Sequence, residues 1–164
     1  MTRKYGDGSF RFTGVALRDS TGTARNTFAS GEAVEVEVSW TGARPVSGTV
    51  IMLNFALLNG QRVMALRSDN DPGTPDILPE SGTMVCRFTL ENLLRNTFTL
   101  SVVAQGRERA ILDKVDSVAM LHIEARSLAA HGRTRHAGNI LYMPSEWTLR
   151  AEAGMGKAEL SAAS

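Results

Sequence analysis

Residues Thr49–Ser68, TVIMLNFALLNGQRVMALRS, decide the fold. Two apolar runs flank an Asn59-Gly60 corner. Asn-Gly between alternating runs is the strongest short-range hairpin signal, because a type I′ turn demands positive φ at both central residues. The stretch is expected to be the central hairpin. Side chains alternate with a period of two, so Ile51, Leu53, Phe55 and Leu57 point one way and Met52, Asn54 and Ala56 the other. If the first set is core, Met52 and Asn54 sit on a sheet face that meets something else. Whether that is solvent or a ligand is the functional question.

Strands are expected on both sides of the hairpin. Phe10, Phe12, Val15 and Leu17 fit a strand whose alternation slips at Thr13-Gly14, as a bulge at a glycine does. Arg18 to Arg25 is turn chemistry, and Phe28 to Glu32 leads into Val34, Val36, Val38 and Trp40, which alternate with Glu35, Glu37 and Ser39. Thr41 to Ser47 connects to the hairpin. Ser68 to Gly82 carries three prolines and no periodicity, which predicts a long loop. Met84, Cys86, Phe88 and Leu90 then face inward. Phe98, Leu100, Val102 and Ala104 alternate with Thr99, Ser101, Val103 and Gln105. Ala110 to Val115 reads as an irregular or short extended piece and Val118 to Glu124 as another strand. Leu128 to Gly138 is a basic loop, and Asn139 to Met143 a last short strand. Short strands at regular spacing with no long helix predict an all-β antiparallel sandwich, with a closed barrel as the alternative.

The totals agree with one domain. The chain has 164 residues and a formal net charge of +1, too little to recruit nucleic acid or an anionic membrane by charge alone. A single cysteine, Cys86, excludes an intrachain disulfide and sits in an alternating run as a small core residue. No apolar run reaches bilayer length and no leader pattern follows Met1, so the chain reads as soluble and cytoplasmic. The division expected is a linker over 1–9, the sandwich over 10–148 and a tail over 149–164.

Catalytic chemistry finds no support. There is no G-x-S-x-G and no recognisable Cys/His spacing. Gly154-Met155-Gly156-Lys157 is too short for a phosphate-binding loop. His131 and His136 lie five apart without a third ligand, so no zinc is assigned. Asp69, Asp71 and Asp76 lack the offsets of a calcium loop and read as turn formers. Arg133 and Arg135, without interleaved aromatics, read as a solvated loop. Trp40 shares the valine face and is assigned to the core. No cofactor is called for, and the chain is read as non-enzymatic.

The order of pieces carries a resemblance. Tyr5-Gly6-Asp7-Gly8, the Val15/Leu17 strand, the Phe28-x-x-Gly31-Glu32 step into the strand ending at Trp40 and the Asn59-Gly60 hairpin recur together. So do Phe98-Thr99-Leu100-Ser101-Val102 and Gly138-Asn139-Ile140-Leu141 with Trp147. Over about residues 5 to 148 these resemble the C-terminal carbohydrate-binding domain of the ATP-binding subunit of O-antigen polysaccharide ABC exporters, the Wzt type. The resemblance implies an immunoglobulin-like (jelly-roll-like) β-sandwich that recognises the modified non-reducing terminus of O-antigen polysaccharide. It also implies a homodimer, here placed through residues 139–148, and attachment to a membrane exporter subunit through a nucleotide-binding domain absent from this chain. Asn96-Thr97-Phe98 departs from the family's usual turn and tyrosine, and the 68–82 loop is longer than usual.

Glycan recognition needs multi-donor side chains and an apolar plate on a rigid sheet. With the hairpin, Phe98 and Val118 strands in one sheet, the outward set is Met52, Asn54, Arg62, Arg67, Thr99, Ser101, Gln105, Met120 and His122. Asp69 and Asn70 stand at its rim. The plain alternative is a solvated sheet face. A second function to weigh is a β-sandwich assembly module without glycan binding, in which Asn139 to Met143 adds to a partner's sheet edge.

Overall fold

β-branched and aromatic residues at every second position suit a pleated surface that is dry on one side, and this pattern builds ten strands among the described residues. The computed structural model describes residues 5–124, 140, 141, 145 and 147. In chain order the strands are β1 (Phe10–Arg18), β2 (Thr27–Ala29), β3 (Ala33–Gly42), β4 (Val46–Ser47) and β5 (Val50–Leu57). β6 (Arg62–Arg67), β7 (Ile77–Leu78), β8 (Ser81–Thr89), β9 (Asn96–Gln105) and β10 (Ile111–Glu124) follow.

A three-stranded sheet runs β1-β3-β8, a five-stranded sheet β2-β10-β9-β5-β6, and β4 pairs β7. Neighbours are antiparallel except β2, which runs parallel to β10 with Phe28 opposite Ile123. The fold is a β-sandwich, and the barrel alternative falls because the two sheets share no ladder. Val34, Val36, Val38 and Trp40 of β3 face Ile51, Leu53, Phe55, Leu100 and Val102 in one core. Phe55 and Phe88 meet edge-on across the sheets at 5.6 Å, and Phe10 stacks on Trp40 at 6.0 Å.

The bulge expected at Thr13-Gly14 is present, as a register shift between Phe12 and Gly14. The Phe12 N–H donates to Asp113 Oδ2 at 2.8 Å, so a buried carboxylate of one sheet anchors the bulged strand of the other. The dry and wet faces of β3 are as read, with Glu35 paired to Arg87 and Glu37 to Arg18 across the strands.

Three expectations are corrected. The Asn59-Gly60 turn is not type I′. Gly60 alone takes positive φ (86°), its N–H donates to Leu57 O at 2.8 Å, and the Asn59 side chain accepts from Gln61 N–H at 3.0 Å. A three-residue loop with one left-handed glycine does the work of two left-handed residues. The 68–82 segment is not structureless: Leu78 is buried in β7, and Pro79 O accepts the Trp40 indole N–H at 3.0 Å. The pieces at 110–115 and 118–124 are one strand, β10, interrupted by a register shift between Val115 and Ala119 around Ser117 (φ 51°). Tyr5, Gly6 and Gly8, ahead of β1, line a basin with Leu112 and Asp113.

Candidate functional site

Cross-strand register turns the outward face of the five-stranded sheet into four ladders of side chains. Lys114, Val103, Met52 and Arg67 stand in line across β10, β9, β5 and β6. The next row holds Ser101, Asn54 and Ala65, and the next Met120, Thr99, Ala56 and Arg62. The last pairs Thr97 with His122, which lies beside Thr27 of β2. Gln105, opposite Val50, closes the far end. All nine residues selected from the sequence therefore share this face.

Their chemistry differs. Arg67 forks onto Asp69 through Nε–Oδ1 at 2.9 Å and Nη2–Oδ2 at 2.8 Å, and its Nη1 approaches Met52 Sδ at 3.6 Å. That hydrogen bonding holds the Asp69 carboxyl below its ordinary value. Gln105 Nε2 donates to Arg109 O at 3.3 Å, Ser101 Oγ accepts the Ser117 N–H at 3.1 Å, and Thr97 Oγ1 lies 3.0 Å from His122 Nδ1. Thr99 Oγ1 donates to Ala56 O at 3.3 Å. Arg62 has no ion-pair partner among the described residues. Met120 is 41% exposed, an apolar plate beside Thr99. Asn54 Oδ1 is buried and, among the described residues, has no hydrogen-bond donor.

Sequence reasoning missed Lys114 and Thr97. Thr97 continues the alternation of Thr99 and Ser101 and was open to selection. The parity of Lys114 was hidden by the bulge that follows it. Val103, outward yet 5% exposed, is screened by its row neighbours Met52 and Lys114.

Away from the face, Trp40 is core at 4% exposure. Asp71 Oδ1 accepts the Gly73 N–H at 2.8 Å, a local turn. No group of three or more His, Cys, Asp or Glu able to hold a metal occurs among the described residues. Burial, with a smaller contribution from the Asp71 charge, raises the Cys86 thiol. No helix among the described residues is long and apolar enough to cross a membrane. Of the segment assigned to pairing, Ile140 O accepts the Leu94 N–H at 2.9 Å and Leu141 bridges Leu93. The remainder of 139–148 apart from Ser145 and Trp147, together with His131, His136, Arg133, Arg135 and the 149–164 tail, lies outside the described residues.

A family model described as the Wzt C-terminal domain matches residues 1–136. Among solved structures, the crystal structure of the C-terminal domain of wzt superposes with a TM-score of 0.68 at 13% identity, covering 90% of this chain and 89% of that one. A Pseudomonas fluorescens alkylpurine DNA glycosylase, bound to DNA with an abasic site analog, reaches a TM-score of 0.44 at 8% identity. It covers 72% of this chain and 31% of that one. No curated protein matches the chain.

Proposed function

The chain belongs to the Wzt C-terminal domain family, and on that footing we propose that it is a non-catalytic carbohydrate-binding module. Its ligand is the modified non-reducing terminus of an O-antigen polysaccharide, and its setting is ABC-transporter export at the cytoplasmic side of the membrane. The module acts as a homodimer, attached to the exporter through a nucleotide-binding domain.

The observation that carries the reading is Asn54. A buried amide oxygen without a donor, centred between Ser101 and Ala65 on the outward face, is a group that a ligand hydroxyl satisfies. Sugars present hydroxyl rims and apolar C–H faces. The rows offer both complements, with hydroxyls at Thr99 and Ser101, a cation at Arg62 and thioether carbon and sulfur at Met52 and Met120. The face binds by hydrogen bonding and apolar contact, with no covalent step.

The test is ligand-observed NMR of the chain with polysaccharide from its own source, comparing capped chains with chains whose non-reducing end has been removed. Transfer only from capped chains, lost in Asn54→Ala with Thr99→Ala, is the expected result. Transfer that survives those substitutions would move the site elsewhere, and none from either glycan would leave the assembly role.

A further inference from the structure

At one end of the sandwich the chain between β3 and β4 comes up against the β9–β10 turn. Between them lies an open basin of about 340 Å³, walled by Arg44, Val46, Thr49, Gly106, Arg107 and Leu112. That volume falls at the lower end of the ~300–1,000 Å³ usual for small-ligand sites.

Its charge is one-sided. No Asp or Glu lines it. Arg18, Arg25, Arg67 and Arg87 each have a carboxylate partner, whereas neither Arg44 nor Arg107 has an ion pair among the described residues; the Asp7 carboxylate feels the Arg44 charge, as the last of several causes that lower it, without pairing with it. Two like charges on one small basin repel unless an anion sits between them.

The basin is also built. Arg107 is laid across the backbone of Gly48, whose φ is +64°. A Cβ there would stand 3.1 Å from Arg107 Cγ and 3.2 Å from its Nε, so the absent side chain is what lets the arginine lie flat. The turn beneath it is closed by Gly106 N–H to Ala110 O at 2.8 Å and by Ala110 N–H to Arg107 O at 3.2 Å. Thr49, on the wall, is only 6% exposed, and its Oγ1 is buried without a hydrogen-bond partner among the described residues. A buried hydroxyl is costly to leave unpaired.

We propose that this basin is an oxyanion-binding site in which Arg44 and Arg107 clamp a phosphate-type or carboxylate group and the Thr49 hydroxyl supplies a further donor. Guanidinium forks match the geometry of both groups. The site adjoins the Gln105–Val50 end of the sheet face and does not depend on that face binding glycan. A ligand lying along the face with a charged substituent would reach both.

The experiment uses the full chain, labelled with nitrogen-15, at constant ionic strength in chloride. It is titrated separately with inorganic phosphate, glucuronate and, as the neutral control, glucose. The expected result is a saturable shift of amides within 44–49 and 106–112 with at least one anion and none with glucose. The ratio of the two anion affinities identifies the source chemistry. Arg44→Gln and Arg107→Gln should each weaken the response about tenfold. Thr49→Val should weaken it less while leaving the remaining spectrum in place. Absence of a saturable response to both anions overturns the proposal, as does a response unchanged in the doubly substituted chain. Asn54, Thr99 and Ser101 amides, followed with polysaccharide in the same chain, report the sheet face separately, so either site can fail alone.

Discussion

Asn54 carries an energetic penalty of about 1–3 kcal/mol for its unpaired buried carbonyl. Replacing it with valine removes the polar atom and adds a residue suited to strands. Asn54→Val is therefore expected to raise the unfolding free energy by about 1 kcal/mol or more in urea titrations while abolishing glycan response at the face. Its neighbour has the opposite sign. Ser101→Val removes the acceptor of the Ser117 N–H and should lower stability by about 1 kcal/mol. A loss of stability in Asn54→Val would mean that the amide already finds a partner. Asn54 was legible because Ile51, Leu53 and Phe55 fix the parity of β5. The commitment of Gln105 to Arg109 was not, since it arises from a turn whose shape the local residues do not announce.

That turn is the element most at odds with its own residues. Glu108 and Arg109 both take positive φ, 56° and 63°, where Asn and Gly are at ease and each other L-residue pays roughly 1–2 kcal/mol. Glu108→Asn with Arg109→Gly is expected to stabilise the chain by about 1–2 kcal/mol, measured as a raised urea midpoint. No change would show that the turn relaxes elsewhere. At the same end of the sandwich, where Gly82 pairs with Trp40 of β3, a Cβ on Gly82 would stand 2.7 Å from Trp40 Cζ2. Gly82→Ala should therefore cost about 1–3 kcal/mol by overpacking, with altered tryptophan fluorescence. Strands β3, β5 and β9 were legible because each alternates without interruption. β2, β7 and the joined β10 were not, because the first two are very short and the third is broken by a bulge that only its pairing with β9 reveals.

For the molecule as a whole, the acid limb of stability is shared by the lowered carboxyls of Asp7, Asp19, Glu32 and Asp69, and Arg25 holds two of them. It pairs with Asp19 at 3.0 Å and Glu32 at 2.8 Å and lies 4.4 Å above the Phe28 ring, joining the turn after β1 to the entry of β3. The Arg25 hydrogen bond, followed by the Ala29 N–H, lowers the Glu32 carboxyl from its ordinary 4.5. A carboxyl depressed in the folded state contributes stability that is present above the unfolded value and lost as pH falls through the folded one. The melting temperature should thus hold from neutrality to about pH 5 and fall from the ordinary 4.5 downward, with a shallower fall in Glu32→Gln. An identical acid slope in that variant would assign the loss to other carboxylates. At this scale the sandwich was legible from its alternation, whereas the arginine basin was not, because Arg44 and Arg107 are brought together only by the packing of two distant turns.

The parallel pairing of β2 with β10 has a consequence during synthesis. Thr27–Ala29 are bonded in register to residues 122–124, so β2 waits for its partner while the ribosome makes the intervening segment. At ~5–20 residues per second that wait is on the order of 5–20 s. Long-separated pairings also slow closure once the chain is free. A nascent chain stopped before β10 therefore leaves β9 as an unpaired edge and Phe28 without its cover, the species that chaperones would be expected to hold.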